Sequence, residues 1–291
     1  MRGHFAVDPV ARTAFPGGAA CSHELRGWVL VEEDAARSLG KAMAWARQQG
    51  LEELHVIAED DAGGLARRAS LFVDGPTVWW LHGTELHAVE PEPLLLPPPA
   101  AASAELVALL AASGLDVVDE RDHVAGELRG LEVARVIGER LEVGVGDADR
   151  ELTAMLHGDL TPEDVLRRVI EIVGQHRQPN APRHPLNQLV PERWLRWSLP
   201  HVTPAPLPRS RAGLRERDIA CGTRDGAVVV CSVGVDLDLV PSAAEARMAI
   251  APDAPLVLVV PERDDHPVTQ ALAARLKVPP SIETVSGDWR T

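Results

Sequence analysis

The chain has no tyrosine and only two lysines, Lys41 and Lys277. Chemistry that needs a buried lysine therefore has two candidate positions. Lys41 falls in a stretch with helical periodicity and Lys277 at the end of another, where a solvated ammonium is the expected role. Cysteine is also scarce. Cys21, Cys221 and Cys231 have no Cys-x-x-Cys spacing, so neither a disulfide framework nor a zinc knuckle is expected. A reducing cytosol is the expected setting. Cys231 lies in an apolar strand pattern, where a thiol is usually inert. No apolar run approaches membrane-spanning length, and MRGHFAVDPVARTAF at the N-terminus lacks the core of a signal peptide. Also absent are a Gly-x-Ser-x-Gly elbow, a Gly-x-Gly-x-x-Gly loop, a Walker loop and a His-Glu-x-x-His pair.

What is present is acidic. Asp and Glu outnumber Lys and Arg by 43 to 29, for a net charge of −14. That balance disfavours non-specific binding to nucleic acid or anionic membrane. With 291 residues, 45% of them hydrophobic, the chain is long enough for one large domain or several small ones with a substantial core. The excess of Arg over Lys and the wealth of Ala and Pro point to a GC-rich bacterial genome.

The clearest order of elements runs from Gly226 to Arg275 and reads strand, helix, strand, helix. Ala227 to Val233 and Leu256 to Val260 are short apolar runs suited to strands buried on both faces. Pro241 or Ser242 starts the intervening helix, Asp264, Asp265 and Pro267 precede a second, and Ile282 to Val285 adds a strand. A similar order appears near the N-terminus. Gly27-Trp-Val-Leu-Val is a strand, Ala35 to Gln49 a helix capped by Asp34 and stopped by Gly50, Leu54 to Ala58 a strand, and Leu65 to Phe72 a helix. A hairpin follows, turning at Gly83-Thr84. Residues 1 to 24 read as an irregular or partly extended lead-in. Gly27-Trp-Val-Leu-Val resembles Gly226-Ala-Val-Val-Val, Val56-Ile-Ala-Glu-Asp resembles Val259-Val-Pro-Glu-Arg, and Leu65-Ala-Arg-Arg resembles Leu272-Ala-Ala-Arg. These parallels raise an internal duplication without requiring it.

Between the two lies a different region. Helices are expected at Ser103 to Ser113, Ala148 to Leu156, Pro162 to His176 and about Pro191 to Leu199. Short alternating runs over 115 to 146 predict an antiparallel meander with one wet face. The resulting expectation is an α/β protein with an α+β middle, in which two similar β-α-β-α units flank a central antiparallel acidic sheet with helices. The divisions fall at 1–92, a Pro-rich linker 93–102, 103–199, a second Pro-rich linker 200–212, and 213–291.

Four constellations invite a chemical reading. His157-Gly-Asp-Leu-Thr-Pro-Glu-Asp resembles the catalytic loop of small-molecule phosphotransferases, but Asp164 stands where that family has Asn, and a helix follows in place of a strand. A capping box at Thr161, Pro162 and Asp164 explains the same residues. His82 and His87, with Glu85 between them, flank the predicted hairpin turn and would suit zinc if they shared a face. Trp79 and Trp80 beside them point to opposite faces. Asp236 and Asp238 alternate with apolar residues and so share a face at a strand's C-terminal end, the usual ligand side of an α/β sheet.

The acidic meander carries the fourth. Helix, strand, Glu127-Leu-Arg129, adjoining strands and a helix resemble a PD-(D/E)XK nuclease core over about residues 103 to 175. The resemblance implies that Asp119 and Glu127 hold magnesium, with Glu132 or Glu142 as a further ligand. Arg129 stands where the family has its lysine, and a guanidinium clamps phosphate but does not act as a general base. The C-terminal unit has a similar order of elements, with Cys231-Ser232-Val233 at the acid-x-lysine position, and so implies a non-catalytic copy.

Residues 175–217 reverse the local charge, with eight arginines against two glutamates. Arg193, Trp194, Arg196 and Trp197 interleave cations and aromatics, as a nucleic-acid or partner surface would. The competing expectation is that this belt docks on the acidic part of its own chain with the tryptophans packed. Two functions stay open: a nuclease-like protein with weak or lost magnesium-dependent activity in a nucleic-acid-related role, or a non-enzymatic cytoplasmic scaffold that binds another protein. Whether the chain is an enzyme, a small-molecule enzyme included, and whether it self-associates, are open too.

Overall fold

The computed structural model describes residues 2–5, 11–15, 17–156, 160–179, 184–208, 214–215, 218–287 and 289. The fold is mixed α/β, and the chain forms two compact units. The first comprises Met1–Leu95, Val235–Ala249 and Asp265–Pro280, the second Leu96–Gly234, Ile250–Asp264 and Ser281–Thr291. The first segment ends close to the Pro-rich linker. The residues after 213 do not stand alone, because their strands belong to the second unit and most of their helical residues to the first.

The first unit opens with a short helix α1 (Arg2–Phe5) and holds a six-stranded sheet in sequential order. Strands β1 (Ala11–Phe15), β2 (Gly18–His23) and β3 (Arg26–Val31) run antiparallel. The lead-in expected to be irregular or partly extended thus holds two paired strands. Their small and polar residues carry little apolar alternation, so the pairing comes from neighbours rather than from local pattern. β3, β4 (Glu53–Ala58) and β5 (Thr77–His82) are parallel, joined by α2 (Leu39–Gln48) and α3 (Ala62–Ala69). β6 (Glu85–Ala88) closes the sheet as a hairpin through Gly83-Thr84. Asp34 caps nothing with its side chain. It sits in left-handed backbone ahead of a single 3-10 turn, and α2 begins only at Leu39.

Two later helices complete this unit, α8 (Leu239–Ile250) and α9 (Pro267–Ala273). α9 is capped by His266, whose Nδ1 accepts the Val268 N–H, and not by the expected aspartates. Just after α3 and α9 the backbone pairs antiparallel at Phe72 and Leu276. Gly40 in α2 lets the chain before α8 approach closely, since a Cβ there would lie 1.9 Å from the Leu237 carbonyl oxygen. Glu245 of α8 is buried between two arginines of α3. Arg67 reaches Oε1 at 2.8 Å and Arg68 reaches Oε2 at 2.7 Å.

The second unit contains two sheets. One is an antiparallel meander in the order β10 (Arg140–Val143), β9 (Leu131–Ile137), β8 (Val124–Leu128), β7 (Asp116–Asp119). The other runs β11 (Thr203–Ala205), β12 (Ala220–Arg224), β13 (Ala227–Cys231), β14 (Leu256–Pro261), β15 (Ser281–Val285), antiparallel up to β13 and parallel beyond. Around the meander lie α4 (Ala104–Ala112), α5 (Asp147–Leu156) and α6 (Pro162–His176). Thr161 and Asp164 form the expected cap of α6, with the Asp164 N–H donating to Thr161 Oγ1. The hairpin turns Arg129-Gly130 and Asp225-Gly226 have positive φ at both positions, as a tight type I′ turn requires.

The expected wet face of the meander is corrected. β8 is buried along Val124–Glu127, so its acid lies in the interior. What covers it is α7 (Pro191–Ser198). Trp194 and Leu195 of α7 pack with Val229, Cys231 and Val257 of the five-stranded sheet and with Trp289 beyond its last strand. Arg193 and Arg196, on the same helix, reach the meander.

Candidate functional site: an arginine-clamped acid

Glu127 is the centre of the second unit's polar interior. Arg193 Nη1 donates to its Oε1 at 2.5 Å, and Arg196 Nη2 donates to its Oε2. The remaining fork of Arg193 holds Glu120 at 2.6 Å, and Arg196 Nη1 donates to the Cys221 carbonyl at 3.2 Å. Arg196 thereby ties the meander to the five-stranded sheet. Burial pushes the Glu127 carboxyl up, but the two guanidiniums outweigh it and hold the group below the usual carboxylate range. Glu120 ends on the other side, raised mainly by burial, with Arg193 only partly compensating. Arg193 gains from both acids and stays charged despite its burial.

The residues singled out for metal are not brought together. On β7, Asp116 stands opposite Glu127, and Glu127 opposite Glu132 on β9, so these three nominally share one side. Asp119 is an odd number of residues from Asp116 and faces the other way. Its Oδ1 accepts the Arg121 N–H at 2.8 Å and the Ala100 N–H at 3.3 Å, a local turn role. Glu132 is bound to Arg150 through Oε1 and to His123 through Oε2. Burial disfavours charge on His123, but Glu132 and Asp122 on its two ring nitrogens outweigh this and raise its pKa. Arg129 donates to the Arg177 carbonyl and lies over the Trp197 ring, 5.6 Å from its centroid. Among the described residues, no group of three or more His, Cys, Asp or Glu side chains is disposed to hold a metal ion. Magnesium is therefore not assigned to Asp119, Glu127 and Glu132.

The basic belt is for the most part interior where it is described. Arg193, Trp194 and Arg196 are buried, and of the four α7 residues predicted to form a surface Trp197 alone is exposed. Arg177 is fully buried, stacks on Trp194 and donates to the Leu186, Leu189 and Arg129 carbonyls. Arg215 is exposed. Arg183, Arg209, Arg211 and Arg217 lie outside the described residues, as do His157, Gly158 and Asp159.

The other candidates resolve as follows. His82, Glu85 and His87 do share a face of the β5–β6 hairpin, with Trp80 stacked on His82 at 5.0 Å between ring centroids. Asp236 pairs with Arg37 at 3.4 Å, while Asp238 is buried and accepts the Gly40 N–H. Cys221 and Cys231 are buried and free, with burial pushing the Cys221 thiol up to about 12.

One feature was missed in the sequence. α5 turns its apolar residues Leu152, Met155 and Leu156 to solvent, while a cavity of about 440 Å³ lies against its other side. Their i, i+3, i+4 spacing marks a helix face in the sequence, but nothing in the spacing says that the face points outward. No protein-family model matches the chain, and no match was found among the curated proteins or among the solved structures.

Proposed function

We propose that this chain is a non-enzymatic protein-interaction protein, in which a nuclease-like order of elements serves as a scaffold without metal-dependent activity. The observation that carries the reading is the clamp on Glu127. A carboxylate with a guanidinium on each oxygen is already neutralised, a metal cation brought to it would face two buried positive charges, and removing it would strand those arginines. Of the acids that the nuclease-like resemblance would use, Glu127 is thus engaged in holding α7 between two sheets, Glu132 is paired with Arg150 and His123, and Asp119 braces a turn.

We further infer that the N- and C-terminal segments are two copies of one unit. In both, an antiparallel strand pair leads into strand–helix–strand–helix–strand with parallel pairing. The three similar sequence segments fall on corresponding elements: β3 with β13, the end of β4 with that of β14, and α3 with α9. Aligning each segment across related sequences should pair Gly27 with Gly226 and Leu65 with Leu272. A different register would refute common origin.

The functional reading is tested with purified protein, magnesium or manganese, and both single- and double-stranded DNA and RNA. No cleavage and no salt-dependent binding at low ionic strength are expected. Metal-dependent cleavage that follows the protein through purification and disappears in a folded Glu127→Gln variant would overturn it.

A further inference from the structure

α5 is built the wrong way round for a helix with no partner. Arg150 is the residue it buries, while Leu152, Met155 and Leu156 are 52%, 83% and 67% exposed. A single exposed leucine is ordinary, but three on one helical stripe form a continuous apolar face. The cavity of about 440 Å³ between β10, α5 and the start of α6 lies on the other side of the helix, lined by Asp147, Arg150 and Ala154, and is separate from this stripe.

The charge around this face is negative and unbalanced. Its guanidiniums are already engaged, Arg135 by Glu142 at 2.8 Å and Asp147 at 3.1 Å, and Arg150 by Asp147 at 2.9 Å and Glu132. Asp149 Oδ2 accepts the Val145 N–H at 2.7 Å, and neither Asp149 nor Glu151 is in an ion pair among the described residues. An apolar stripe with an acidic edge is complementary to an apolar stripe with a basic edge. A second copy of this chain would set acid against acid, and an anionic membrane would be repelled.

We propose that this face docks a basic amphipathic helix of a partner protein. The partner's apolar stripe lies on Leu152, Met155 and Leu156. Its lysines or arginines meet Asp149 and Glu151. This rests on the protein-interaction reading and gives that reading a place and a partner class.

The test is fluorescence anisotropy with a labelled synthetic peptide that carries a leucine stripe flanked by lysines, titrated with the full chain. Saturable binding that weakens with salt is expected. Met155→Glu and Leu156→Glu should each weaken it by about tenfold or more, the scale of an apolar anchor, with circular dichroism unchanged. Equal binding of a scrambled peptide of the same composition would show mere charge attraction and overturn the proposal. So would no binding of either peptide, which leaves the non-enzymatic reading standing because the cleavage assay judges that separately. Two further results would also overturn it by assigning the face to another occupant. One is a dimer in sedimentation that Met155→Glu disperses; the other is flotation with phosphatidylcholine vesicles that the same variant abolishes.

Discussion

The N–H of Gly40 donates to Oδ1 of Asp238 at 2.8 Å, joining the first turn of α2 to the residue before α8 across 198 positions of sequence. The other carboxylate oxygen, Oδ2, is buried without a hydrogen-bond partner. Burial is the main cause that pushes this carboxyl up to about 6. Asp236 adds to the rise, and the Gly40 N–H, Lys41 and Arg68 oppose it. Asp236 is itself paired with Arg37.

A raised carboxyl pKa means that the folded protein takes up its proton before the unfolded chain does. The cost of the buried charge is fully present above pH about 6 and is relieved as pH falls towards about 4. Through this group the relief amounts to about 3 kcal/mol at most. His55 works in the opposite sense, since burial lowers its pKa and its protonation opposes folding as pH falls. The two are separated by comparing urea unfolding of the parent and Asp238→Asn at pH 4.5 and 7. The variant should gain stability relative to the parent at pH 7 and lose that advantage at pH 4.5; parallel pH slopes would refute the assignment.

Breaking the Glu127 clamp from one side should be costly. Arg196→Ala leaves a buried carboxylate with one guanidinium and takes a donor from the Cys221 carbonyl, a loss of about 3–5 kcal/mol. Replacing the three members together, Glu127→Leu with Arg193→Met and Arg196→Met, should cost less than the sum of the single changes. Chemical denaturation of each variant in a mutant cycle reads the coupling directly.

Gly130 occupies a position no other residue fits well. Its φ is +72°, and a Cβ would lie 2.4 Å from the Arg193 carbonyl group. Gly130→Ala should destabilise by about 2–4 kcal/mol, combining left-handed strain with displacement of α7. A shift in the urea midpoint below that of Gly226→Ala would support this, because Gly226 has similar φ and open space around its missing Cβ.

Thiol labelling should distinguish the cysteines. Cys221 and Cys231 are fully buried in β12 and β13 and should react with a disulfide reagent only as fast as the protein unfolds. Cys21, partly accessible on β2, should react first. Rapid modification of three thiols in the native state would contradict the packing.

Much of the element order was legible because it is written in local chemistry. Thr161, Pro162 and Asp164 announce α6, and Gly83, Gly130 and Asp225-Gly226 announce their turns. The site was harder to read, because Glu127 on an alternating strand reads as a wet-face acid unless the arginines of α7, some seventy residues away, are known to lie on it. The same distance hid Glu245 from Arg67 and Arg68. Spacing reveals which residues share a face, as with Leu152, Met155 and Leu156, but the environment of that face depends on elements far off in sequence. β1 and β2 escaped notice because neither carries an apolar alternation.

The partners of α2 and α3 arrive late in synthesis. Arg67 and Arg68 leave the ribosome about 180 residues before Glu245, and Gly40 about 200 before Asp238. At usual elongation rates of 5–20 residues per second, the first unit spends roughly 10–40 s with two cationic side chains and a helix end awaiting acids not yet made. A nascent chain halted near residue 230 should therefore be protease-sensitive in its first ninety residues, although their own sheet strands are all present.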